Sequence, residues 1–443
     1  MRSDGGFALP TTLLMLLAAF AIVSVGVAAT VDVQRGTNRD QSTKSAVQLA
    51  QTGVSTALLH FNRIDPSQVG CTVGAGWCQG PSFTDPSGGT YSYQVQVQPY
   101  PPLPGCNSNP NVPYSLEVVA TGTRGAATRR VDVLAHSASG VPVFCDYQVK
   151  AGNGITMASN SHIFAGTATN GTITLSSNAA QCGPASVGVG QQFPPSGHFD
   201  NFSGITCTGP DPSGGHQQID LPPVNQGDAT TNNYDSNFFG TDVVSGNKAS
   251  ACWNGFNADG TSGTCGTRHL AVGTTSTVTL TGSVYSFCKL TLSSNSSLLV
   301  QSGTTTYIYF DSPEACGYPS GTSQLDMSSN TRISSNDGNP VYLLFVGSTS
   351  RQTIINLNSN TDINAACQQN FVVYAPLSDI NMNSNTTYCG AFAGKTIALD
   401  SNANITTTAA ASSFTPPNAP PYYKIDKFVD CTTAAASPPN AGC

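Results

Sequence analysis

Hydrophobic positions change their spacing twice along this chain. Residues 7–31 read FALPTTLLMLLAAFAIVSVGVAATV, 25 positions without a charged side chain. A helix needs about 20 such residues to cross a hydrocarbon core. Asp32 and Arg35 end the run. A cleaved secretory signal is the rival reading, but its apolar core is only about 7–15 residues and processing follows that core. Here helical patterning continues past the run. Ala46, Val47, Ala50, Val54, Ala57, Leu58 and Phe61 recur at three- and four-residue steps, which marks one amphipathic face. Pro66 supplies the stop. The pattern predicts one helix of about 55 residues, apolar all round in its first half and one-sided in its second.

Beyond the helix the period drops to two. TYSYQVQVQPY (residues 90–100) alternates cleanly, and YSLEVVATGTR (114–124) joins ATRRVDVLAH (127–136) through Gly125 as a hairpin. A long helix on a small antiparallel sheet is an α+β head, and the stretch SASGVP near Gly140 reads as a linker.

After the linker a short motif recurs: ITMASNSHI at Ile155, ITLSSNAA at Ile173, LTLSSNSSL at Leu290, LDMSSNTRI at Leu325, INLNSNTDI at Ile355, INMNSNTTY at Ile380 and IALDSNANI at Ile397. Each copy has two apolar residues at period two, then a Ser-Asn step, and often an apolar residue three on. The apolar pair suits an inward-facing strand. Asn tolerates left-handed backbone and so suits a tight corner. Asn160 and Asn178 are 18 apart, Asn385 and Asn402 17 apart, and Asn295 and Asn330 35 apart. Such a period predicts stacked coils of a parallel β-helix. The Pro-, Gly- and Asn-rich stretch 182–273 breaks the pattern and reads as an insertion with short elements of its own. The tail, 411–443, is expected to wrap the last coils and cover their open edge. The expected layout is thus a leader at 1–6, the apolar helix at 7–31, the head at 32–140, the β-helix at 141–410 with its insertion, and the tail.

Composition narrows the class. Charged residues are 9% of the chain, and Glu117 and Glu314 are the only glutamates. Helix formers are therefore scarce beyond the N-terminus. Disorder is the other reading of a Ser-, Thr-, Asn- and Gly-rich chain. It ordinarily goes with high net charge and low hydrophobicity, whereas here the net charge is −7 and the apolar fraction 39%. The basic residues after position 140 are scattered singly, which argues against a nucleic-acid partner. Fourteen cysteines without a CxxC pair do not follow common zinc spacing. Neighbouring pairs, Cys71 with Cys78, Cys252 with Cys265, Cys288 with Cys316, Cys367 with Cys389 and Cys431 with Cys443, read as local disulfides of an oxidising compartment, with buried thiols as the alternative.

The leader MRSDGG, then Phe7 and an unbroken apolar helix, resembles the class III signal of type IV pilins and pseudopilins. The resemblance implies cleavage by a prepilin peptidase between Gly6 and Phe7. QLAQTGVSTALLHF (48–61) is similar to the continuation of that helix in PilX-type minor pilins, and FVVYAPLSDINMNSNTTYCGAFAGKTIALDSNANI resembles the β-helical module that follows such N-termini. Major pilins carry Glu at the fifth residue after the cut. Here it is Thr11, a departure that favours a minor subunit. The family implies a single-pass subunit of the cytoplasmic inner membrane that is then displayed on a pilus or cell surface. Its partners are other pilins or pseudopilins through the helix. Surface glycans are a secondary expectation from the Asn-, Ser- and Thr-rich exterior.

A membrane-tethered carbohydrate-active β-helix enzyme, lyase or glycoside hydrolase, is the competitor. Hydrolysis needs two carboxylates about 5–10 Å apart, and Asp326, Asp362, Asp379 and Asp400 lie near Ser-Asn corners. Asp at a turn is ordinarily there for a backbone bond. A lyase needs a clustered base, but Arg332, Arg351 and Lys395 are isolated. His198, Cys207 and His216, with Asp200 and Asp220, match no metal template. NADGTSG (257–263) has a calcium-loop flavour but places Gly255 and Gly266 where the first and twelfth ligands would stand. No catalytic residue, metal or cofactor is therefore expected.

Overall fold

The computed structural model describes residues 8–62, 71–72, 76–86, 88–99, 113–137, 142–192, 219–357, 362–363, 371–406, 414–417 and 423–431. The protein is mainly β with one long N-terminal helix. It divides into two compact units. One holds residues 1–100, 110–137 and 421–443, the other 101–109 and 138–420.

In the smaller unit, α1 (Ala8–Phe61, 54 residues) lies on an antiparallel sheet. The sheet runs β1 (Trp77–Thr84), β2 (Thr90–Pro99), β3 (Pro113–Arg124), β4 (Ala127–Ser137), then a C-terminal strand, Tyr423–Cys431. The alternation seen in the sequence buries Val95 and Val97, Leu116 and Val118, and Val131 and Val133 beneath the helix. Gly125, at φ 57°, turns β3 into β4. From α1, Ala46, Leu49, Ala50, Val54, Ala57, Leu58 and Phe61 are buried. Leu49, outside the predicted face, is buried, and Val47, within it, is only half-buried. The reason is local. A Cβ on Gly89 would come 2.3 Å from Leu49 Cδ1, so glycine there makes the space Leu49 fills. Burying the four larger side chains contributes on the order of 10 kcal/mol, at about 1.5–3 kcal/mol each.

The C-terminal strand corrects the expectation for the tail. Instead of covering coils, it pairs antiparallel with β4, from Tyr423 opposite Ser137 to Cys431 opposite Arg130. His136 Nδ1 meets Asp426 Oδ1 at 2.7 Å, and Tyr423 N–H donates to Asn62 Oδ1 at 2.9 Å. The head is therefore made from both ends of the chain.

The larger unit is built of short strands in parallel pairings. Each pass of the chain contributes Leu or Ile to one inner row, and the register connects Leu270, Leu290, Leu325, Ile355, Ile380, Ile397, Ile155 and Ile173 in that order. All eight are buried. The spatial order is not the sequence order. The first strand of the unit, Val149–Met157, pairs with Ala391–Leu399, so the earliest pass follows the latest. The end at Leu270 is closed by antiparallel strands. Val243–Ser245 pairs with Thr277–Leu280, and Ala251–Trp253 with His269–Val272. Those closing strands lie in the stretch read as an insertion, while His269–Val272 belongs to the parallel set. An antiparallel strand reverses the chain and ends a parallel series, a role the sequence reading gave to the tail.

The Ser-Asn motif marks one corner. Asn160, Asn178, Asn295, Asn330, Asn385 and Asn402 all have φ near +60°. The copy with Asn360 lies outside the described residues. Asn stands third in a four-residue turn, closed by Ser161 N–H to Ala158 C=O, Ala179 to Ser176, Ser296 to Ser293 and Ala403 to Asp400. The next position is small and buried, as at Ser161, Ala179, Ser296 and Ala403. Corners also bond one another. Asn295 N–H donates to Ser329 C=O, Asn385 to Ser401, Asn402 to Ser159 and Asn160 to Ser177. A further rung escaped the motif. Thr275, at φ 62°, donates to Ser294 C=O and occupies the same corner.

Disulfides Cys71–Cys78, Cys252–Cys265 and Cys288–Cys316 are present. Cys389 and Cys431 are also disulfide-bonded, whereas Cys367 and Cys443 lie outside the described residues.

Two outcomes are expected. Gly122→Ala would place a Cβ 2.2 Å from Ala46 O and 2.5 Å from Ala50 N. It should lower head stability by about 1–3 kcal/mol, read as a lower Tm. Thr275→Asn removes a β-branched residue from left-handed backbone and should raise stability by about 1 kcal/mol in chemical denaturation.

Candidate functional site

The first half of α1 carries a continuous run of exposed large apolar side chains, from Leu13 to Val33. Leu14 is 71%, Phe20 70% and Ile22 74% exposed. It is long and apolar enough to cross a membrane. Among the described residues, hydroxyls along it bond within the helix. Ser24 Oγ donates to Ala21 O, Thr30 Oγ1 to Gly26 O and Thr37 Oγ1 to Val33 O. That arrangement suits lipid, where water cannot serve the polar groups. Gly6 and Phe7 lie outside the described residues.

The acidic candidates do not converge. Asp326 shares an outward row with Thr291, Asn356 and Asn381. Asp379 stands in the neighbouring row, opposite Ile354 and Thr396. The two lie two passes apart, about 10 Å along the stacking direction, and two residues apart along the strand, about 7 Å at right angles to that, so their backbones are about 12 Å apart. Asp379 also has both oxygens engaged. Oδ1 accepts from Thr396 Oγ1 at 2.6 Å and Oδ2 from Gln352 Nε2 at 2.9 Å. Asp400 supplies the carbonyl that closes its corner turn. Asp362 stands opposite Arg332 across a parallel pairing. Arg351 donates to Tyr318 O at 2.6 Å, and Lys395 sits at a register break between Gly394 and Thr396.

The metal candidates are no better gathered. His198, Asp200, Cys207 and His216 lie outside the described residues. Among the described residues no three His, Cys, Asp or Glu converge. In the loop at 257–263, Asp259 Oδ1 accepts from the backbone and hydroxyl of Thr261, and Gly260 has φ +85°. Those bonds belong to a tight turn.

The most charged cluster was not singled out in the sequence. It lies where the antiparallel strands close the larger unit. Asp242 Oδ1 accepts from Thr281 N–H and Oγ1, and both its oxygens accept from Tyr285 Oη. Asp235 Oδ1 accepts from Ser286 N–H at 3.0 Å. Arg268 pairs with Asp311 at 3.0 Å and also bonds Ser286. Burial pushes Asp235 up to about 6 against the pull of Ser286 and Arg268, with Asp242 adding to the rise. Burial raises Asp242 as well. Partial burial, with Lys289 nearby, lowers His269 to about 4. These groups join segment 235–242 to the first passes. A signal existed in the acidic pair and the two rings Tyr285 and Phe287, but nothing in the sequence placed them together.

No family model matches the chain, and no curated protein matches it. Among solved structures it is similar to the competence-associated pilin ComZ from Thermus thermophilus. The identity is 10%, over 88% of this chain and 97% of that one, with a TM-score of 0.23. A likeness so low carries no argument about fold or function.

The cluster has a pH signature. Asp235 has a folded pKa above its unfolded value, so its stabilisation is complete below about pH 4 and is lost as pH rises through about 6. His269 has a depressed folded pKa, so its contribution is complete above about 6.5 and is lost as pH falls toward 4. Relative to wild type, Asp235→Asn should be stabilised at pH 7, by about 1–3 kcal/mol, and lose that advantage by pH 4. His269→Gln should show the opposite trend. Thermal melts across pH 4–7 read both.

Proposed function

We propose that the chain is a minor-pilin-like subunit, anchored in the membrane by α1 and presenting a parallel β-helix outside the cell. One observation carries the reading. A single 54-residue helix is bare and apolar through its first half and packed on an antiparallel sheet through its second. A soluble domain gains nothing from such a bare helix, whereas a subunit that first sits in lipid and then packs against identical helices needs it. The leader and Thr11 favour processing between Gly6 and Phe7 and a minor role. The β-helix reading is supported by the parallel rows and the bonded Asn corners. Other pilins or pseudopilins are then the partners of the helix. The polar outer row of Thr291, Asn356 and Asn381 suits surface contacts, glycans among them. A structural rather than catalytic role is favoured by Asp379, whose oxygens are both held by neighbouring passes.

The test pairs two variants. Mass spectrometry of membrane-extracted protein should give a mature N-terminus at Phe7. Leu17→Arg should disturb membrane residence, at a cost of about 2.5–3.5 kcal/mol near a helix centre. Asp362→Asn, Asp379→Asn and Asp400→Asn together should leave surface display and attachment intact, because Asn keeps an accepting oxygen. A folded, displayed triple variant without function would favour the enzyme instead.

A further inference from the structure

The two edges of the head sheet differ in one respect. Each edge strand has a register shift, between Gln79 and Ser82 in β1 and between Ile425 and Lys427 in the C-terminal strand, but only β1 also carries a proline, Pro81, which removes a ladder donor and blunts the edge. The C-terminal strand, nine residues long, has no proline, and among the described residues only β4 pairs with it. Its middle residues are exposed, with Ile425 at 45% and Phe428 at 47%. Three residues apart, these two would ordinarily face opposite sides. The register shift between Ile425 and Lys427 brings both to one side. Ile425 lies opposite Ala135 and Phe428 opposite Val133, residues whose side chains are buried toward the helix. Lys424 and Lys427 lie opposite His136 and Leu134, on the other side.

We infer that this edge pairs with the same edge of a second copy of the chain, antiparallel about a two-fold axis between Asp426 and Lys427. In that register Ile425 stands opposite Phe428 of the second copy, and Asp426 opposite Lys427, each pair occurring twice. Residues opposite one another in an antiparallel pair share a side. The apolar pairs therefore extend the helix-facing side of the sheet, and the charge pairs fall on the outer side. Lys427 would repel a generic strand, yet it is complementary to its own symmetry mate. Such an isologous contact is small, so it makes a reversible dimer.

The experiment uses the full chain in detergent micelles, followed by sedimentation equilibrium. Wild type should show a monomer–dimer equilibrium. Ile425→Lys or Phe428→Asp alone should raise its midpoint concentration at least about tenfold, since each places a charge against an apolar residue twice. The double variant, Ile425→Lys with Phe428→Asp, should restore the dimer, because the register sets the new charges opposite one another. Backbone amides of residues 424–430 should also gain protection from hydrogen exchange as concentration rises. A monomeric wild type would overturn the proposal. So would dimers indifferent to every strand variant, which would assign association to α1, or a double variant as weak as the singles.

Discussion

A residue in left-handed conformation stands at the same corner of each described pass through the larger unit, and the direction of the chain depends on it. The turn it permits sends the strand onto a new side while its N–H reaches the corner of the neighbouring pass. Asn402 to Ser159 shows what this achieves. The bond joins the last part of the unit to the first, across 243 positions of sequence, with the geometry of adjacent repeats such as Asn160 to Ser177. Because described corners are bonded to their neighbours, the inner rows of Leu and Ile need no further instruction to align. A slip of one residue would break the corner bonds and expose the row at once.

Much of this was legible. Periods of three to four and then two located α1 and β2, β3 and β4, though not β1, and the apolar-pair motif found six of the described corners. Thr275 was missed because it supplies the backbone geometry without the residue type that advertises it. The spatial order of the passes was not legible either. Every copy carries nearly the same apolar pair, so Ile397 fits beside Ile155 as well as beside any other. Local pattern fixes what a strand buries, not which identical neighbour it meets. Phe414, early in the tail, does pack on the passes, against Tyr342 and Tyr374. The strand after it was misplaced for a related reason. YKIDKFVDC alternates poorly, since its register shift breaks the period, and nothing near it in sequence is its partner.

The candidate residues were legible one by one, but their surroundings were not. Carboxylates near Ser-Asn corners are the residues a glycosidase reading would choose. Both oxygens of Asp379 are bonded to neighbouring passes, and Asp400 gives its backbone carbonyl to its own corner turn. The closing cluster around Asp242 and Arg268 depends on loops that cross between passes, and no spacing rule reports such meetings. Its two acids, Asp242 buried and Asp235 half-buried, sit where the parallel series stops.

The partner of β4 arrives late. His136 meets Asp426 across 290 residues of sequence, so the larger unit is spliced into a hairpin of the head. An unfolded loop of that length would weaken the closing strand through lost chain entropy. A folded one with adjacent ends would not, and joining the last pass to the first provides such ends. During synthesis the head therefore stays one strand short until the whole of the larger unit has emerged. The head could then accept a different passenger in its place, provided that the passenger's two ends also met.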